Sequence, residues 1–427
     1  MPLLRIGFRK RQKTAFLFLS VNLFFLGLSI LLHSQEKAIP LKLATPLAIG
    51  RTDLLFSSIA SVCEDDQLNF YVLDRLEHKV FKFSPQGRLL LAFGQKGQGP
   101  GDFQSPAEIV LTSKGELAVL EDLSYISLFK TDGTFIRRLD LNGRLGLGYI
   151  GPDRFYGWIW RPDDQQQVMV DGQNKILKTF HAVARDRFST TLPDETGRLV
   201  MFNYSHEAYV PRLLFAHSGE LTAVGISDRY EIALLDESGG IVSTIGRPLK
   251  PQKINTREKD YLERELRDFA KAKGWPDYVS RELIKKIPKA KNQISAIRIS
   301  RDYVFIFRFA MNQTDKSRSF FIDIFTGKGE FMGVAQLNDL PLFISERAMY
   351  FDRTDESGNV FLVRTEYSLP KFISVSSLEA WPRCPGPEVK TGQIHVAKNR
   401  TYSCCVDVFS AQFDIRSHCD LSCLMMG

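Results

Sequence analysis

The sequence predicts an all-β fold: a six-bladed β-propeller with one helical insertion and an N-terminal transmembrane or signal helix. Three observations predict it. The central region alternates apolar and polar residues at period two and is punctuated by Gly, Asp and Asn, the pattern of short strands joined by tight turns. Two stretches are close copies of one three-strand unit. Four weaker copies follow, at about 45 residues per unit once the insertion is set aside, which is the spacing of four-stranded propeller blades. A length of 427 residues would otherwise suggest two or three domains.

Residues 1–33 come first. Arg5, Arg9, Lys10, Arg11 and Lys13 precede an apolar run from Ala15 to Leu32 and no acid accompanies them. Eighteen helical residues span roughly 27 Å, just enough for a bilayer core. The basic flank puts the N-terminus inside and the rest of the chain outside. Two readings stay open, an uncleaved signal anchor and a signal peptide cut near Gly27 and Ser29. This segment carries +5 of the formal net charge of +7, so the remainder is close to neutral. The high isoelectric point is therefore no sign of a nucleic-acid binder, and no nucleic-acid partner is expected.

The propeller is placed at 41–380. Its best unit runs from Asn69 to Gly94 and reads as strands FYVLD, KVFKF and RLLLAF around the turn SPQG. The second copy, from Gly115, matches it strand for strand, with KTDG at the same turn. Weaker copies lie at 155–180, 219–246, 302–332 and 358–375. No unit can bury its apolar faces alone; stacking the units radially does so and leaves only short sheet edges. The ring must then close, and LKLATPLAIG (41–50) is the candidate strand to join the last blade.

Between the first two units the chain reads FGQKGQGPGDFQSPAEI. With YVLD, VFKF and GRLLLAFG before it, this resembles the exported bacterial group of NHL-repeat six-bladed propellers. The likeness is strong over about 50–145 and weaker over 146–378. Gly94, Gly97, Gly99 and Gly101 suit tight reversals, and Pro100 and Pro106 stiffen the crossing. No helix or Gly-Lys-Ser/Thr follows, which excludes a phosphate-binding loop. The resemblance implies binding of a protein, peptide or glycan, without naming it. Copies three to six lack the GPG connection, and the tail has no counterpart in the family.

The insertion, 249–292, is the one helical stretch. Tyr261, Leu262, Leu266 and Phe269 share a face, Asn255 or Thr256 can cap the start, and Gly274 can end it. Its net charge is +6. It would serve either as a cap that docks an acidic partner or anionic lipid, or as a solvated helix on the rim.

Six cysteines occur: Cys63, Cys384, Cys404, Cys405, Cys419 and Cys423. Four crowd the last 24 residues of the tail, 381–427, which suggests a small disulfide-stapled module; the adjacent pair fits zinc poorly. Cys63 and Cys384 bracket the six units, so a disulfide there would lock the ring, against the plainer reading of two unrelated thiols.

Aligning the first strand read in each unit puts Asp74, Glu121, Arg161, Ile226, Arg308 and Arg364 at one position. If that position faces the axis, three arginines cluster against two acids and can grip an anionic or zwitterionic ligand, with Trp158, Trp160 and Trp275 as stacking surface. Inter-blade ion pairing is the structural alternative. No histidine occupies this position, and neither G-x-S-x-G nor H-E-x-x-H occurs, so no catalytic residue, metal or cofactor is assigned. The functional expectation is an envelope binding module, anchored or secreted. A metal-dependent hydrolase or lyase and a structural subunit of an envelope complex are the other classes.

Overall fold

The computed structural model describes residues 38–370 apart from 51–54, 122–124, 142–144, 162, 185–188, 194–195, 204–208 and 310–319. The N-terminal leader, the cysteine-rich tail and every cysteine but Cys63 lie outside the described residues. Among the described residues no helix is long and apolar enough to cross a membrane.

The period-two segments form six antiparallel sheets. Blade 1 comprises Ile59–Glu64, Phe70–Asp74, Lys79–Phe83 and Leu89–Phe93. Blade 2 comprises Pro106–Leu111, Leu117–Glu121, Tyr125–Phe129 and Phe135–Asp140. Blade 3 comprises Leu145–Gly151, Arg154–Trp160, Asp164–Val170 and Ile176–Ala184. Blade 4 comprises Leu213–Ser218, Leu221–Ile226, Glu231–Leu235 and Ile241–Gly246. Blade 5 comprises Ala296–Ile299, Tyr303–Phe309, Phe320–Thr326 and Phe331–Leu337.

Blade 6 takes Phe343–Ile344, Ala348–Thr354 and Val360–Ser368 from the C-terminal side. It is completed by Lys42–Leu43 and Leu47–Ile49, which pair antiparallel with Val360–Ser368. The closing strand therefore comes from 41–50, where the sequence placed it. Closure removes a free edge on the last blade.

Apolar seams hold each blade to the next. Phe70, Phe81 and Phe83 of blade 1 pack with Tyr350 and Leu362 of blade 6, and the Phe70 ring stacks on Phe83 at 5.3 Å. Phe103 fills the seam between blades 1 and 2. It lies so close to Gly94 that a Cβ there would meet its ring at 2.2 Å, and Gly94 has φ +89°. Glycine is required at this reversal on both counts. Similar apolar clusters join blades 2 and 3, 4 and 5, and 5 and 6.

The insertion differs from its sequence reading in three ways. It is two helices, α1 (Thr256–Ala272) and α2 (Asp277–Lys285), with Gly274 at φ +67° between them. Asn255 caps α1 in a capping box with Glu258, and Glu258 also pairs with Lys291 in a buried contact. Leu262 and Leu266 are buried as expected, but Tyr261 is exposed, and the inward face is completed by Ala270 instead. Third, the helices pack on a hairpin that the periodicity did not single out, Ser189–Pro193 with Leu199–Asn203, from the connection between blades 3 and 4. Phe202, Leu266, Val279 and Leu283 form a small core of their own. Trp275 sits in it, edge-on to Phe202 and Phe269, and so is a packing residue of this lobe.

Candidate functional site: the central cavity

The innermost strand of each blade precedes the strand that the sequence alignment took as first. Ile59–Glu64 and Pro106–Leu111 each begin fifteen residues before Asp74 and Glu121. Blade 6 was read a strand late as well: Arg364 lies on its third strand, and Ala348–Thr354 is its second. The six aligned positions consequently do not meet as one ring facing the axis.

Each has a local role. Asp74 is fully buried and accepts from the backbone N–H of Ser57, Ser58, Leu76 and Glu77. Glu121 accepts from the N–H of Gln104 and Ser105 and lies 3.6 Å from Arg138. Both acids thus tie down the segment that leads into an innermost strand. The Arg308 guanidinium donates to Asp323 at 2.8 Å. Arg364 donates from Nε to the Tyr350 hydroxyl at 3.2 Å and from Nη1 to Glu366 at 3.1 Å. Arg161 is exposed and Ile226 is buried in a seam. The Trp160 side chain is outside the described set. Glu121 and Trp158 do line the central cavity.

That cavity has a volume of about 1480 Å³ and is walled by the innermost strands of blades 1, 2, 4, 5 and 6. Blade 3 contributes as well. Its inner strand carries Gly148, where a Cβ would meet the Phe215 ring at 2.3 Å, so the glycine admits that ring. Tyr156 and Trp158, from the second strand of blade 3, line the cavity. Tyr156 stacks on Phe215 with ring centroids 4.1 Å apart, and its hydroxyl accepts from the indole of Trp158 and from Gln167 at 2.8 Å. An oxygen that already accepts twice has its own proton left to donate.

Two ionisable groups line the same cavity. Glu108 is the third residue of the innermost strand of blade 2, and Arg298 is the third of the innermost strand of blade 5. Blades 2 and 5 are three apart in a ring of six, so the two face each other across the axis. Burial pushes the Glu108 carboxyl up to about 7, with Arg298 pulling the other way. Burial likewise brings the Arg298 guanidinium down to about 10, opposed by Glu108 and reinforced by Arg212. Arg298 is fixed by backbone carbonyls, with Nε donating to Pro341 O and Nη1 to Ile297 O, both at 2.9 Å.

Other ionisable groups near the wall are quieter. Burial pushes the Cys63 thiol well up, helped by Asp65, Glu64 and Glu108, so it stays protonated and unreactive. The proposed pairing with Cys384 falls outside the described residues. Burial brings His217 down to about 4, leaving it neutral, with Nδ1 3.0 Å from the Thr222 hydroxyl. Among the described residues no three His, Cys, Asp or Glu side chains are grouped to hold a metal.

The sequence reading missed Glu108 and Arg298 because it began each unit a strand too late. Extending the alignment upstream would have matched IASVCE to PAEIVL and put Glu108 opposite Ser61.

A family model described as a 6-bladed beta-propeller, DUF5128, matches residues 49–144. No curated protein matches. Similar solved structures include a candidate exported protein from Bacteroides fragilis, at 12% identity and a TM-score of 0.48, covering 78% of this chain and 96% of that one. A member of the DUF4221 family from Bacteroides vulgatus follows at 12% and 0.46, covering 79% and 100%. A virginiamycin B lyase from Staphylococcus aureus, with quinupristin, stands at 10% and 0.36, covering 76% and 99%. The class that the fold defines is the six-bladed β-propeller with two helices. Within it, the segment 49–144, blades 1 and 2, is the part that matches the DUF5128 propeller family. At such low identity a likeness to solved structures says nothing about a shared ligand.

Proposed function

We propose that this chain is an exported propeller, anchored or released through its basic and apolar leader, that binds a protein, peptide or glycan of the cell envelope in its central cavity. One observation carries the reading: Glu108 and Arg298 line one cavity of about 1480 Å³ from opposite blades. The leader's charge pattern supports export. The resemblance of the stretch between the first two units to NHL-repeat propellers supports binding of a protein, peptide or glycan.

The test is capture of ligand from envelope extracts by the purified full-length chain and by a cavity-plugging variant, Ser61→Trp, with bound material identified by mass spectrometry. Ser61 lines the cavity, so an indole there obstructs it; the substitution also gives up the Ser61 hydroxyl's hydrogen bond to Ile109 O of blade 2, so a thermal melt checks that the variant is folded. Material held by the wild type and lost from the plugged variant supports the reading. Equal capture by both overturns it.

A further inference from the structure

We propose that the cavity is a two-pole site for a short zwitterionic peptide, with the ligand ammonium at Glu108 and its carboxylate at Arg298. The inference rests on the binding reading above and names its ligand class.

The poles are set by the ring. Glu108 and Arg298 project from opposite blades, and no hydrogen bond or ion pair joins them among the described residues. Both line the same cavity of about 1480 Å³, so the space between them is open to a ligand. Arg298 spends Nε and Nη1 on backbone carbonyls, which orients the guanidinium and leaves its Nη2 edge to a ligand. An arginine fixed in this way presents a preorganised donor to a carboxylate. Arg212, whose Nη2 donates to Ser295 O at 2.8 Å, adds positive potential at the same pole. Glu108 has no hydrogen-bond donor among the described residues, and a carboxylate in a desolvated wall gains most from a cation that brings donors of its own.

The size of the cavity, about 1480 Å³, favours a peptide over a single amino acid. An α-amino acid carries both charges on one carbon, whereas these charges sit on opposite sides of an axial cavity. A short peptide separates its termini and presents side chains between them. Tyr156, Trp158 and Phe215 offer an aromatic surface beside that path, with the Tyr156 hydroxyl proton available to a peptide carbonyl.

The experiment is calorimetric titration of the full-length chain at pH 8 with three probes: Ala-Phe, N-acetyl-Ala-Phe and Ala-Phe-amide. The wild type is expected to bind Ala-Phe and to lose at least tenfold in affinity for either capped form. Glu108→Gln is expected to bind Ala-Phe and its acetylated form alike, while still penalising the amide. Arg298→Gln is expected to do the reverse. Thermal melts of both variants check that they are folded, and the selective pattern separates a pole from a general packing defect. Equal binding of all three probes by the wild type overturns the proposal, as does a variant that weakens all three alike. If no probe binds while the Ser61→Trp plug still abolishes capture from extracts, the zwitterion is wrong and the cavity reading stands. If the plug is also silent, both fall.

Discussion

The seams between blades and the wall of the cavity handle buried charge in opposite ways. In the seam between blades 4 and 5, Asp323 is fully buried and fully engaged. It accepts from Arg247 and Arg308 at 2.8 Å each and from the Tyr230 hydroxyl. In the wall, Glu108 is half-buried and lines the cavity, with Arg298 on the opposite blade. The rest of each seam is apolar and close-packed, like Phe70 against Phe83 and Tyr350. The difference teaches where stability is made and where it is given up. Asp323 is answered by two guanidinium groups and a hydroxyl inside its seam, while Glu108 faces the cavity with no hydrogen bond among the described residues.

Four outcomes would break or sharpen that contrast. The largest should come from the closing seam. Phe70→Ala empties a fully buried ring position between blades 1 and 6 and should cost about 4 kcal/mol in a denaturant titration. A loss below about 1 kcal/mol would show that the seam is not the main source of stability. Next, Asp323→Ala leaves Arg247 and Arg308 facing each other without their counter-charge and should cost about 3 kcal/mol. Near-neutrality would mean that charge in the seam is as dispensable as charge in the wall.

The third outcome has the opposite sign. Glu108 has a carboxyl raised from 4.5 to about 7 in the folded chain. The folded state then holds a proton that the unfolded chain releases, so stability falls as pH rises from about 4.5 to about 7 and the full cost is felt above that window. Glu108→Gln should therefore stabilise the protein by roughly 1–3 kcal/mol at pH 8 and by almost nothing at pH 4. Melts across that range would show a gain that appears with rising pH. A gain at all pH values, or a loss at pH 8, would mean that Glu108 is not an unsatisfied acid.

The smallest effect lies outside the ring. Asn255→Ala removes the side-chain acceptor of the capping box of α1 and should cost about 1 kcal/mol, read as local amide exchange in the helical lobe rather than as a change in ligand binding. A change in capture from extracts would place the lobe at the cavity and alter the assignment of the site.

The architecture was legible because its signals are local. Period-two alternation, Gly-closed turns such as SPQG and KTDG, and the recurrence of the unit marked six blades, and the strand that closes the ring was visible at 41–50. Asp74 and Glu121 were rightly matched as equivalents, and the structure gives them the same work on the backbone. Their shared position was taken to face the axis, yet alternation along a strand says only which side chains share a face, not how far the strand lies from the centre. One strand of offset moved Arg308 and Arg364 from a supposed rim into seams. The lobe was half legible: the heptad-like face of α1 was written in the chain, but its partner hairpin at 189–203 carries no helical or repeat signature and is identified by what it packs against.

By itself, then, the sequence determined that this chain alternates, turns and repeats as propeller blades, and that a basic and apolar leader precedes them, because such features depend on neighbours within a few residues. Only the tertiary structure decided which strand is innermost, that Tyr156 and Trp158 line the cavity, and that Glu108 and Arg298 confront each other. Those two residues are 190 positions apart in the chain. Closing the ring is what sets them face to face, since no pattern local to either one encodes its distance to the other.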